Sequence, residues 1–156
     1  MREKTLTAAK PPIPEDPGLQ ALRFGRVREA HQTETAEDYV ELIADLIATQ
    51  GEARVVDLAT RFGVSHATVN KVVTRLNREG LVSNKKYRSL FLTDDGRVLA
   101  AKCRERHQIV VDFLKSIGVP DDIAELDAEG VEHHVSEETL KIFLTATRKS
   151  KTKAKV

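Results

Sequence analysis

The chain has one cysteine, no tryptophan, two tyrosines and five phenylalanines in 156 residues. A lone Cys103 excludes an internal disulfide and suits a reducing cytoplasm, the expected location. So few aromatic rings leave no stacking platform for single-stranded nucleic acid. No apolar run approaches the roughly 18 residues that cross a bilayer. The opening Met1–Lys10 segment lacks the apolar centre of a signal peptide. No membrane partner is therefore expected. Proline is scarce and concentrated: Pro11, Pro12, Pro14 and Pro17 are four of the five, and residues 1–18 read as a disordered arm.

A net charge of +1 hides two opposed halves. Residues 51–92 hold eight Lys or Arg against three acids, a balance of +5. Residues 116–140 hold eight acids and no Lys or Arg. One surface is thus suited to a polyanion and another to cations. An apolar content of 40% with 31% charged residues fits one domain, or two small ones sharing a core.

Helical periodicity begins near Leu19 and is expected to break around His31–Thr35. Thr35 then caps an amphipathic helix whose apolar positions Tyr39, Leu42, Ile43, Leu46 and Ile47 repeat at helical spacing, and Gly51 ends it. Residues 55–62 predict a short helix, Gly63-Val-Ser65 a tight turn, and 66–79 a second helix capped by Ser65. Their apolar positions Val55, Leu58, Ala59, Val64, Val69, Val72, Val73 and Leu76 face inward, the pattern of a helix-turn-helix. Gly80 stops the second helix. Residues 81–86 and 90–93 predict two strands joined by a basic tip of Lys85, Lys86 and Arg88. Such a winged helix reads double-stranded DNA. His66, Ala67, Thr68, Asn70 and Lys71 open the second helix, beside its cap Ser65, where side chains reach base edges. Arg75, Lys85, Lys86 and Arg88 would meet phosphates. Arg78 reads as a solvated charge.

Thr93 caps a long helix from Asp94 to about Ser116, with Val98, Leu99, Ile109, Val110, Phe113, Leu114 and Ile117 on its apolar face. Cys103 reads as a small core residue and His107, by itself, as a packed or surface histidine. Pro120 begins an acidic helix, and a last helix opens at Ser136. Within the run Asp127-Ala-Glu-Gly-Val-Glu-His-His134, the offsets of Glu129, Glu132 and His133 put three metal-capable side chains on one helical face. No cationic side chain lies nearby in sequence, so this face suits a divalent cation. Asp38 and Glu41 lie three apart on the earlier helix; they are candidates for a second ligand set, although such acids commonly complement the helix dipole. His31, His66 and His134 receive no metal role, with His134 supporting the site from behind or facing solvent.

The order of an Asp-x-x-Glu helix, a winged helix, an Arg106-His107 helix and the run Glu129-Gly-Val-Glu-His-His134 resembles the diphtheria toxin repressor family of metal-dependent regulators, and most of all its manganese-responsive members. The match spans about Thr35 to Leu144. The resemblance implies a mainly α fold: a winged helix-turn-helix with a two-stranded wing over residues 19–93, a helical metal-binding and dimerisation domain over 94–147, and a basic disordered tail over 148–156. It implies Asp38, Glu41, His107, Glu129, Glu132 and His133 as ligands of a two-metal site, with Glu41 and Glu132 bridging. Iron-responsive members carry Met in place of Asp38 and Cys in place of Glu129. Here every donor is carboxylate oxygen or imidazole nitrogen, a hard set suited to Mn²⁺, with Fe²⁺ as its competitor.

With these features, the resemblance implies a manganese-activated repressor of metal-uptake genes that binds a palindromic operator as a homodimer. Ile117, Val119, Ile123, Leu126, Leu140, Ile142 and Phe143 are expected to pack in the dimer. Four carboxylates repel one another when empty, and filling the site ties the two halves together. A di-metal hydrolase would use similar ligands but also needs an open coordination position, a substrate cleft and a general base, none of which the sequence offers. A winged-helix regulator answering to a small organic ligand is the remaining alternative.

Overall fold

The computed structural model describes residues 16–84 and 89–153. The wing-tip residues Lys85, Lys86 and Arg88, and the arm before Asp16, lie outside the described residues. The chain is mainly helical with one small sheet. In order it forms α1 (Pro17–Gln50), β1 (Ala53–Arg54), α2 (Val55–Phe62), α3 (His66–Arg78), β2 (Val82–Asn84), β3 (Ser89–Leu92), α4 (Asp94–Ser116), α5 (Asp121–Val131) and α6 (Glu137–Lys153).

α1 runs unbroken for 34 residues, against the expected interruption at 31–35. Thr35 is therefore an interior residue, and the cap is Asp16, whose carboxylate accepts from the Leu19 N–H at 3.0 Å ahead of Pro17 at the first helical position. The polar run holds neither proline nor glycine, and the Thr33 hydroxyl donates to the Ala30 carbonyl within the helix, so nothing there breaks the ladder. Gly51 ends α1 with φ 84°, as expected.

The helix-turn-helix forms as expected. Gly63 supplies the left-handed residue (φ 65°) that lets α2 stop and the chain turn. The Ser65 hydroxyl accepts from the Thr68 N–H at 3.1 Å. Val64 differs from expectation: it is exposed. β3 is the central strand of an antiparallel sheet ordered β1-β3-β2. Ala53 pairs with Leu90, and Val82, Ser83 and Asn84 pair with Leu92, Phe91 and Leu90. β1, two residues long, is a strand that periodicity gave no sign of.

One core joins α1 to the winged helix through Val40, Ile43, Leu46, Leu58, Val69, Leu76, Val82 and Leu90, and the Tyr39 and Phe62 rings stack at 4.5 Å within it. α4 is the central strut, in contact with α1, α5 and α6. Its distal half builds a second core of Val110, Val111, Ala128 and Leu140, where Phe113 and Phe143 stack at 3.9 Å. Leu140 thus packs in the chain's own interior, with the partly buried Phe143 against it. Val98 and Ile117, assigned to the apolar face of α4, are exposed. α6 continues to Lys153, so the basic stretch from Arg148, expected to be a disordered tail, is helical to that point. No helix among the described residues is long and apolar enough to cross a membrane.

Candidate metal centre and DNA-reading surface

Three parts of the chain, far apart in sequence, converge beside α4. α1 brings Asp38 and Glu41, α4 brings His107, and α5 with the turn behind it brings Glu129, Glu132 and His133. α5 stops at Val131, so Glu132 is its C-cap and His133 lies in the turn. The expectation of one helical face is thus corrected: helical spacing relates Glu129 to Glu132, but the chain must leave the helix to aim His133. Leaving it sends the His133 ring toward α1.

Two donor groups result. In one, His107 Nδ1 is 2.6 Å from Glu132 Oε2 and 3.8 Å from Glu129 Oε1. In the other, His133 Nε2 is 3.1 Å from Asp38 Oδ1 and 3.4 Å from Glu132 Oε1. Glu132 joins the two. Glu41 belongs to the same charge cluster, since the Glu129 carboxylate and the His107 imidazole both act on it.

Burial sets the protonation of this cluster. Glu132 is 1% exposed; burial pushes its carboxyl up to about 7, against the pull of His107 and His133. Glu41 is raised by burial and then by Glu129. Burial opposes a charged His133, but the surrounding Asp38, Glu37 and Glu132 carboxylates override it and lift the imidazole to about 10. His107 is raised in the same way: burial opposes protonation, and Glu125, Glu132 and Glu129 outweigh it. The cluster therefore holds protons that a cation would replace.

The residues present fit a hard divalent ion. His133 Nε2 is fully enclosed and has no hydrogen-bond partner; Asp38 Oδ1 is close to it but not aligned to accept. An enclosed nitrogen aimed among carboxylate oxygens without a proton contact is how a ligand atom sits. Cis donors on an octahedral hard cation with bonds of about 2.1–2.5 Å lie about 3.0–3.5 Å apart, and His133 Nε2 is spaced from Asp38 and Glu132 within that interval.

Two contributors escaped the sequence reading. Glu37, 8% exposed, accepts from His133 Nδ1 at 2.6 Å and from Arg106 Nη1 at 3.2 Å. Holding Nδ1 this way leaves Nε2 for the centre, which is how a second carboxylate fixes a ligating histidine. Arg106, immediately before His107, was the available signal. The acids of α5 are also less isolated than their sequence neighbourhood implied, because Lys115 Nζ of α4 lies 3.2 Å from Glu125 Oε1. Cys103 is buried, and burial first of all pushes its thiol up to about 12; it is a core residue and no nucleophile.

At the other end, His66, Ala67, Thr68, Asn70 and Lys71 form an exposed stripe at the start of α3. Ser65 is committed to its cap, also sharing a 2.9 Å hydroxyl contact with Thr68. Arg75 is half-buried and leans on Glu79, with Nε 3.5 Å from Oε1. Arg54, Val56, His66, Asn70 and Asn84 line a concavity between α3 and the wing.

Two family signatures cover the chain. Residues 31–90 match the iron dependent repressor N-terminal DNA binding domain, and residues 93–152 match the iron dependent repressor metal binding and dimerisation domain. The transcriptional regulator MntR of Escherichia coli O6:H1 is 56% identical over 126 residues, 81% of each chain. This chain belongs to the iron dependent repressor family. MntR of Salmonella typhimurium is 53% identical over 131 residues, 84% of this chain and 83% of its own. A manganese-dependent transcriptional repressor solved with manganese superposes with a TM-score of 0.66 at 30% identity, over 72% of this chain and 52% of that one. The chain thus spans about half the length of that solved structure. Family membership makes it a transcriptional regulator with a DNA-binding half and a metal-binding, dimerising half, and not an enzyme.

Proposed function

We propose that the chain is a manganese-activated repressor that binds a palindromic operator as a homodimer and controls metal-uptake genes. The observation that carries this reading is the donor set: four carboxylates and two imidazoles from α1, α4 and the end of α5, with the His133 Nε2 partnerless among them. Asp38, Glu41, His107, Glu129, Glu132 and His133 would hold two ions per subunit, Glu132 reaching both donor groups. Bound ions supply charge neutralisation for four carboxylates that repel one another across a partly dry gap. The absence of sulfur donors in the set favours Mn²⁺, with Fe²⁺ as its competitor.

The chain's own residues convert that neutralisation into a switch. Asp38 and Glu41 lie on the helix whose other residues, Val40, Ile43 and Leu46, form the core of the winged helix. Glu129, Glu132 and His133 belong to the dimerising half. Drawing them together couples the metal-binding half to the placement of α3, and an ion that prefers the DNA-competent arrangement shifts the population toward it. In that arrangement Asn70, Lys71 and their neighbours read base edges, while Arg75 and the wing residues Lys85, Lys86 and Arg88 meet phosphates.

The test is fluorescence anisotropy with operator duplexes selected from genomic fragments, using chelated protein and then Mn²⁺, Fe²⁺ or Zn²⁺. Tighter binding with Mn²⁺ that disappears in Glu132→Ala supports the reading. Equal binding with and without metal overturns it.

A further inference from the structure

Outside the centre just described, two more histidines converge on one carboxylate. His31 Nδ1, on the solvent side of α1, is 3.1 Å from Glu34 Oε2. His134 Nε2, from the turn behind α5, is 3.6 Å from the same oxygen. The rings meet edge to face with centroids 4.8 Å apart, and ligand atoms of all three residues lie within 4.8 Å of one another. A tetrahedral zinc with bonds of about 2.0–2.1 Å places its ligand atoms about 3.3 Å apart. The two nitrogen-to-oxygen separations bracket that value.

We infer that His31, Glu34 and His134 form a further metal site, distinct from the carboxylate-rich centre, that takes Zn²⁺ with water in the fourth position. The chemistry separates the two places. The centre is dominated by oxygen donors; this site has two imidazoles and one carboxylate, a set well suited to a borderline ion with low coordination number. Both histidines are exposed, so binding requires little desolvation and leaves an open face for solvent. Glu34 stands between the two places, since its carboxylate also comes within 4.8 Å of Asp38 and His133. Zinc held by His31 and His134 would engage Glu34 on the outer side and fasten the front half of α1 to the turn behind α5. This inference does not depend on the identity of the ion in the main centre.

The experiment uses the metal-free full chain titrated with Co²⁺, whose tetrahedral complexes absorb far more strongly in the visible than six-coordinate ones, followed by zinc counting after equilibrium dialysis. The expected result is a strong tetrahedral band. It is lost in both His31→Gln and His134→Gln, retained in Glu132→Ala, and accompanied by the loss of one zinc per chain in each histidine variant. Both histidines are exposed, and circular dichroism checks that each variant folds. Absence of the band, its survival in either histidine variant, or its loss in Glu132→Ala would overturn the assignment.

Discussion

His133 and Glu37, 96 residues apart, meet at 2.6 Å through Nδ1 and Oε2, and Arg106 Nη1 donates to both oxygens of the same carboxylate. Burial opposes ionisation of Glu37, yet the His133 and Arg106 contacts keep its carboxyl below the usual range. It is therefore a fixed anion that orients the imidazole while leaving Nε2 free. Glu37→Gln keeps the shape and removes the charge. Mn²⁺ affinity is expected to fall by about 10- to 100-fold, read by electron paramagnetic resonance of free Mn²⁺. Saturating Mn²⁺ should restore operator binding. Unchanged affinity would reduce Glu37 to a structural ion-pair partner.

Proton release gives a second expectation. In the folded metal-free chain Glu132 titrates near 7 and His133 near 10, above ordinary values of 4.5 and 6.5. Raised folded values mean that the folded state binds more protons than the unfolded one. Their contribution to stability is complete below the unfolded values and is lost as pH rises through the folded ones, across about 4.5–7 for Glu132 and 6.5–10 for His133. A bound cation takes the protons' place. The rise in melting temperature caused by Mn²⁺ is therefore expected to grow from pH 6.5 to 8.5 under anaerobic conditions. A flat or falling increment would show that these groups are already deprotonated.

What could be read in advance follows the range of the interactions involved. Ser65, Thr93 and Gly51 act on residues within three or four positions, and their caps stand where local rules place them. The break expected at His31–Thr35 failed because polar residues without proline or glycine only weaken a helix, while Thr33 satisfies itself on the preceding turn. Glu129 and Glu132 were legible from spacing; the aim of His133 was not, because it depends on where α5 stops. Glu37 was invisible for a simpler reason: its partners lie 69 and 96 residues away, and no periodicity reports a contact made by tertiary packing.

At the DNA surface, two side chains of α3 should separate specificity from affinity. Asn70 is exposed and Arg75 is half-buried. Asn70→Ala is expected to lose about 1–3 kcal/mol of discrimination at one base pair. Arg75→Ala should weaken all sequences alike and reduce the slope of log K against log salt by about 0.9. Binding isotherms at several salt concentrations, on operator and scrambled duplexes, distinguish the two. Exchange of these outcomes would mean that α3 lies in the groove at a different angle.

Gly96, in the first turn of α4, touches the entrance to the wing. A Cβ there would lie 2.1 Å from the Leu81 carbonyl oxygen and 3.1 Å from its carbon, so the backbone leading into β2 must move. Gly96→Ala is expected to destabilise the chain on the order of 1–3 kcal/mol, seen in urea denaturation, and to weaken operator binding by displacing the wing. Wild-type stability would show that α4 slides to make room.

The dimer seam proposed here is tested by the apolar residues that this chain does not bury. Leu140 and Phe143 pack inside the second core, whereas Leu126, Ile142 and Ile117 are 70%, 67% and 62% exposed. Large side chains left in water near one end of a domain whose family dimerises mark where a second copy would seat. Leu126→Asp puts a charge into that seam without touching either core. Light scattering should then give the monomer mass while the wild-type chain gives twice that, with the far-ultraviolet circular dichroism unchanged. Operator binding should weaken as well, because a palindrome rewards two linked reading heads over one. A variant that remains dimeric would move the seam toward the exposed apolar residues on the front half of α1, Leu19, Leu22, Phe24 and Val27.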